Sequence, residues 1–157
     1  MAGIELFDEN LVFLEPEISC KTDLFKWFAA YMEQAGYVKE SYYDNITLRE
    51  KEYPTGLQTS TVGVAIPHTD PENLKKPFIA VIRPKNSISF EPMGIAEGSI
   101  NAELIFMLGV LKDGQQVTAL QNLMGLLCNT EAVSALMSVE QKKEIINIIK
   151  ANFGPID

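Results

Sequence analysis

Apolar positions along this chain alternate between helical spacing and short strand-like runs. Leu11-Val12-Phe13-Leu14, closed by Glu15-Pro16, reads as a first strand. Leu24, Phe28, Met32 and Ala35 then recur at helical spacing, with Thr22 as a candidate N-cap and Gly36 as a left-handed stop. Ser41, with Asp44 three residues on, predicts a second capped helix from Tyr42 to Glu52, ended by Tyr53-Pro54-Thr55-Gly56. In 61–67, Val62, Val64 and Ile66 alternate with Gly63, Ala65 and Pro67, the pattern of a strand that loses a ladder donor at its proline. Asp70-Pro71-Glu72-Asn73 is a turn or a single helical turn, and Ile79-Ala80-Val81-Ile82 is another strand. Ile88 and Phe90 alternate with serines as an edge strand, and Pro92-Met93-Gly94 forms a loop.

The run from Glu103 to Leu111 is almost continuously apolar and predicts a central strand buried on both faces. After the turn signal Asp113-Gly114, Val117, Leu120, Met124 and Leu127 give a helix face over 115–127. Thr130 and Ser138 are candidate caps for two more helices. The last of these buries Ile145, Ile146, Ile148 and Ile149 and stops near Phe153-Gly154-Pro155. Strands interleaved with helices predict an α/β fold: a mixed sheet of about five strands with helices on both faces. Without repeats or linkers, residues 1–157 read as a single domain.

Composition narrows the function. Of 157 residues, 46% are hydrophobic and 22% charged, as in ordinary globular proteins. With 21 acidic against 13 basic residues the formal charge is −8, which argues against nucleic acid or an anionic membrane as partner. The Met1-Ala2-Gly3-Ile4-Glu5 start lacks the pattern of a signal peptide, and no run approaches the roughly 18 apolar residues of a membrane span. These features predict a cytoplasmic protein. Cys20 and Cys128 stand in dissimilar contexts and read as small hydrophobes rather than a redox or metal pair. A zinc site is not expected, nor any cofactor, although oxygen ligands for magnesium remain open.

The chain has one histidine, His68, directly after the proline that ends the Gly63–Pro67 run. Three chemistries compete for it. A general base would use Asp70 as its partner, but no Ser or Cys nucleophile motif accompanies the pair. A metal ligand would need companions that the sequence does not supply. A phosphoryl acceptor needs only an exposed neutral ring nitrogen, donors for the phosphoryl oxygens and a docking surface. Arg49 is a candidate donor, because a guanidinium offers planar, permanently charged N–H groups. Thr69 and the backbone N–H groups after Pro67 are candidate neutral donors.

Arg49, the Pro54-Thr55-Gly56 turn, Gly63-Val64-Ala65-Ile66-Pro67-His68 and Lys76-Pro77-Phe78-Ile79-Ala80-Val81 together resemble enzyme IIA of the fructose/mannitol class of the bacterial phosphotransferase system. The resemblance extends from Leu11 to Lys150. It implies a phosphotransferase with a phosphohistidine intermediate, in which His68 accepts a phosphoryl group from the phosphocarrier HPr. The group then passes to a cysteine of the cognate enzyme IIB. It also implies that Arg49 lies beside the histidine. Mannitol and fructose members carry a second histidine at the start of the helix after the central strand, and the matching residue here is Gln116. An amide can hydrogen-bond phosphoryl oxygens but cannot carry the charge. This departure resembles the galactitol-type enzyme IIA. Phe78 and Met93 are candidate members of an apolar docking rim. Two alternatives stay open: a regulatory phosphohistidine module acting by contact, and a small hydrolase built on His68 and Asp70.

Overall fold

The strand over Ile100–Gly109 is the spine of the computed structural model, which describes residues 4–94 and 97–153. In chain order the strands are β1 (Val12–Leu14), β2 (Gly56–Gln58), β3 (Gly63–Ala65), β4 (Phe78–Arg83), β5 (Ile88–Phe90) and β6 (Ile100–Gly109). The helices are α1 (Lys21–Gln34), α2 (Tyr42–Glu52), α3 (Asp113–Leu127), α4 (Thr130–Ser138) and α5 (Lys142–Asn152). The mixed sheet runs β1-β4-β6-β3-β2. β6 pairs antiparallel with β4, from Phe78↔Gly109 to Ile82↔Ile105, and parallel with β3 on its other side. β5 continues along the β4 side, Ile88 facing Ala102, after the interruption at Pro84. This is the expected α/β architecture.

From Leu104 to Gly109 both faces of β6 are dry, which explains the unbroken apolar sequence there, while Asn101 and Glu103 nearer its start are exposed. Ile105 and Met107, with Ala65, Ala80 and Ile82, pack under α1 and α2 through Leu24, Phe28, Met32, Tyr42 and Ile46. Leu104, Phe106 and Leu108, with Val64, Ile66 and Val81, pack under α3, α4 and α5 through Leu123, Leu126, Val133, Leu136, Ile145 and Ile149.

Several local expectations are corrected. The sheet has six strands, because the short β2 pairs with β3 in a hairpin that shows no hydrophobic alternation. Cys20, not Thr22, precedes α1, and its side chain makes no cap. Ser41 does flank α2, but its hydroxyl donates to Asn73 Oδ1 (2.7 Å) instead of capping, since a tertiary acceptor is at hand. Asp113-Gly114 is the first turn of α3, and Val117 is 58% exposed rather than packed. Asn129 caps α4 by accepting from the Ala132 N–H, so Thr130 lies inside the helix. Ser138 ends α4 and caps nothing, and Gln141 precedes α5. Cys20 and Cys128 are both exposed thiols. Phe78 is fully buried beneath α1 and is no rim residue. Gly36 does adopt a left-handed conformation (φ 86°) just after α1. Gly154 and Pro155, expected to stop α5, lie outside the described residues.

Candidate functional site

β3 stops at Ala65; Ile66 and Pro67 continue into the core, and Pro67 has no N–H to donate to a ladder. The Leu108 N–H donates to the Pro67 carbonyl (3.0 Å), which fixes His68 beside Leu108 near the C-terminal end of β6. The His68 ring is half-buried, and its Nδ1 lies 2.9 Å from the Ile66 carbonyl. A carbonyl can only accept, so Nδ1 carries the proton and Nε2 keeps its lone pair. Burial lowers the pKa of His68 below its ordinary 6.5. The Ile66 hydrogen bond opposes that shift, nearby Arg49 reinforces it, and Asp70 opposes it. At neutral pH His68 is therefore an uncharged imidazole with a free Nε2. It lines an open pocket of about 300 Å³ with Tyr53, Pro54, Thr55, Met93 and Leu120.

Arg49 and Asn45 stand one turn apart on α2 and both reach Asp70. Arg49 Nη1 is 3.1 Å from Asp70 Oδ1, and Asn45 Nδ2 donates to Asp70 Oδ2 (3.3 Å). The Asp70 N–H donates to Asn45 Oδ1 (3.1 Å), so Asn45 grips both backbone and carboxylate. The Arg49 guanidinium also lies 5.3 Å from the centre of the Tyr53 ring. Arg49 Nε and Thr69 Oγ1 are buried without a hydrogen-bond partner. Gln116 Nε2 donates to the Thr69 carbonyl at 3.5 Å, a contact at the limit of hydrogen bonding. The residues expected at the site, His68, Arg49, Thr69 and Gln116, thus converge from the β3 end, α2 and α3. Thr69 is buried, 1% exposed.

Asp70 does not serve as the partner of His68. Its carboxylate is held by Arg49 and Asn45, while Nδ1 of His68 is spent on Ile66, so the His68–Asp70 hydrolase has no geometry to support it. Among the described residues no group of three His, Cys, Asp or Glu comes together as metal ligands would.

Two participants were not singled out from the sequence. Asn45 is one. The other is Glu50, only 4% exposed, whose Oε2 accepts from the Thr55 N–H (2.8 Å) and whose Oε1 accepts from Thr55 Oγ1 (2.7 Å). Burial pushes its carboxyl up to about 7, against the lowering effect of the two Thr55 bonds and of Lys21. A signal did exist: Tyr42, Ile46 and Glu50 fall at i, i+4 and i+8, which puts a carboxylate on the buried stripe of α2. Next to the clamp, the Gly56 N–H donates to the Glu91 carbonyl (3.0 Å) and the Met93 N–H to the Gly56 carbonyl (2.8 Å). The Glu91 carbonyl leaves no room for a Cβ at Gly56.

Residues 5–152 match the family described as phosphoenolpyruvate-dependent sugar phosphotransferase system, EIIA 2. A galactitol-specific EIIA component of Escherichia coli is 27% identical over 106 residues, covering 68% of this chain and 70% of the relative. The crystal structure of the nitrogen regulatory protein IIA-Ntr from Neisseria meningitidis superposes with a TM-score of 0.76 at 25% identity, over 93% of this chain and 97% of that one. The mannitol IIA of Escherichia coli, solved in complex with phosphorylated mannitol IIB, gives a TM-score of 0.72 at 22% identity, over 93% of this chain and 99% of that one. No helix among the described residues is long and apolar enough to cross a membrane.

Proposed function

The chain belongs to the EIIA 2 family of the phosphoenolpyruvate-dependent sugar phosphotransferase system, the fructose/mannitol class, and from that premise we propose that His68 Nε2 carries its phosphoryl group. The carrying observation is the ring itself: Nδ1–H is committed to the Ile66 carbonyl, which leaves Nε2 as a neutral nucleophile at the pocket. Nε2 attacks the phosphorus of phospho-HPr; the N–P bond to His68 forms as the donor's N–P bond breaks, and that electron pair returns to the donor nitrogen. In the second half, a thiolate of enzyme IIB attacks the same phosphorus and the electron pair returns to Nε2.

Charge on the three phosphoryl oxygens is met by donors that are idle in the resting site. Arg49 Nε and Thr69 Oγ1 are unpartnered, and Arg49 Nη1 can leave Asp70 for a phosphoryl oxygen. Gln116 Nε2, only weakly engaged with the Thr69 carbonyl, adds a neutral donor. One guanidinium and neutral donors stabilise the transferring group without trapping it, as a reversible relay requires. Tyr53, Leu48, Leu111 and Val117, all exposed large hydrophobics, lie on the segments that bring Arg49, Gln116 and the pocket to His68. They suit brief docking of a protein partner. The chain's acidity suits a basic patch on that partner. We read the chain as one cytoplasmic domain serving the uptake of a sugar or hexitol, and Gln116 of this chain, together with the likeness to a galactitol-specific relative, favours galactitol.

Incubation with phosphoenolpyruvate, enzyme I and HPr loads one acid-labile, base-stable phosphoryl group, and His68→Ala abolishes loading while its circular dichroism spectrum is kept. Labelling retained in that variant refutes the assignment. Offering the loaded protein to a panel of enzyme IIB domains identifies the sugar by which one removes the label. Likeness to a nitrogen regulatory IIA favours a second reading, control of partners by contact; failure of every IIB domain to discharge the label supports it.

A further inference from the structure

Glu50 does not line the phosphoryl pocket, yet it is tied to His68 by consecutive hydrogen bonds through Thr55. Glu50 accepts both donors of Thr55; the Thr55 carbonyl accepts from the Ile66 N–H (3.4 Å); the Ile66 carbonyl accepts from His68 Nδ1 (2.9 Å). Thr55 is also a wall residue of the His68 pocket, and its neighbour Gly56 anchors Met93 on the same wall. A buried carboxylate has a solvation cost, and two apolar residues would close this space without it. Its placement therefore calls for a role beyond packing.

We propose that Glu50 is a positioning residue for phosphoryl transfer, holding through Thr55 and Ile66 both the Nδ1–H tautomer of His68 and the Tyr53–Gly56 wall of the pocket. This rests on His68 being the phosphoryl carrier. As a carboxylate, Glu50 accepts from both Thr55 donors with full charge assistance; once protonated it keeps one acceptor oxygen, and the grip loosens. The charged groups around it are Lys21 at the start of α1, Lys51 on α2 and Glu91 after β5. Lys21 favours the carboxylate and Glu91 disfavours it. The carboxyl, pushed up to about 7, makes the grip tighten as pH rises through neutrality. His68 itself titrates lower, below 6.5, so the two events are separable.

His68 is the only histidine, so its ring proton signal in the NMR spectrum is unique. In the wild type the signal shows its own titration at low pH and a second, smaller inflection near neutrality from Glu50; Glu50→Gln removes only the second. In transfer from phospho-HPr, Glu50→Gln lowers kcat about tenfold, with KM within about twofold, and abolishes the dependence of kcat on pH near neutrality. A Glu50→Gln protein with wild-type kcat and an unchanged NMR titration overturns the proposal. Should that variant fail to fold, Thr55→Val serves: losing the Oγ1 donor moves the second inflection to higher pH, and an unmoved inflection overturns the proposal equally. A wild type that takes no label on His68 instead refutes the carrier assignment, while the NMR titration still tests the link between Glu50 and His68.

Discussion

The chain has two arginines with specific polar partners at opposite ends of the sheet, and they are used in opposite ways. Arg83 ends β4, past the Ile82↔Ile105 pair, about 14 Å along β6 from the level of His68. It is 7% exposed, and its Nη1 donates to the carbonyls of Leu136 (2.9 Å) and Val139 (2.6 Å) at the end of α4. Those carbonyls are helix-end acceptors with no intrahelical partner, so Arg83 closes α4 onto the sheet. Arg49 is half-exposed, holds a single carboxylate at 3.1 Å and keeps its buried Nε unused. A structural arginine has its donors on fixed backbone acceptors. Arg49, which we propose serves the reaction, is held by a side chain instead.

The sharpest way to break this contrast is Arg49→Gln. Phosphoryl transfer from phospho-HPr should slow about 100-fold, the usual loss when one charge-stabilising donor leaves a reaction centre. Stability to urea should shift by less than about 0.5 kcal/mol, because the lost Asp70 pair is partly solvated. A rate near wild type would place Arg49 with the surface charges. Arg83→Gln should do the reverse, lowering unfolding free energy by about 2 kcal/mol because a shorter neutral amide cannot serve both carbonyls. Its transfer rate should stay within about twofold once protein is folded. A large loss of transfer in folded Arg83→Gln would erase the distinction.

The same contrast shows what was legible in the sequence. β6 was readable because burial on both faces forces an unbroken apolar run, and Pro67 marked the end of the β3 segment because it cannot donate to a ladder. His68 was visible as the lone histidine at that break, and Arg49 as a candidate donor, while its place beside the histidine came through resemblance to a family. The rest depended on long-range neighbours. β2 is three residues held by β3, with too few positions to show a period. Ser41 looked like a cap, but Asn73, 32 residues away, offered its hydroxyl a better acceptor. The bonds of Asn45 and Arg49 to Asp70 span 25 and 21 residues, and no local rule connects residues so far apart.

A smaller effect tests whether Arg49 is releasable. Asp70→Asn keeps a side-chain carbonyl near Asn45 and Arg49 but removes the charge that holds the guanidinium. With Asp70 neutral, Arg49 is freer to meet phosphoryl oxygens, so the equilibrium between phospho-HPr and the loaded protein should move about threefold toward the loaded protein. Asp70 also raises the pKa of His68, so its neutralisation should lower that pKa further and carry the acid limb of the transfer rate to lower pH. Arg49→Gln removes an influence of the opposite sign and should carry the limb upward. The folded-state pKa of His68 is depressed, so stability is lost as pH falls below 6.5, and in Asp70→Asn that loss should extend to lower pH. No comparable release exists for Arg83, whose acceptors are peptide carbonyls that no side-chain substitution neutralises. If Asp70→Asn leaves both the loading equilibrium and the acid limb in place, Arg49 is as fixed as Arg83, and the difference between the two ends of the sheet is one of exposure alone.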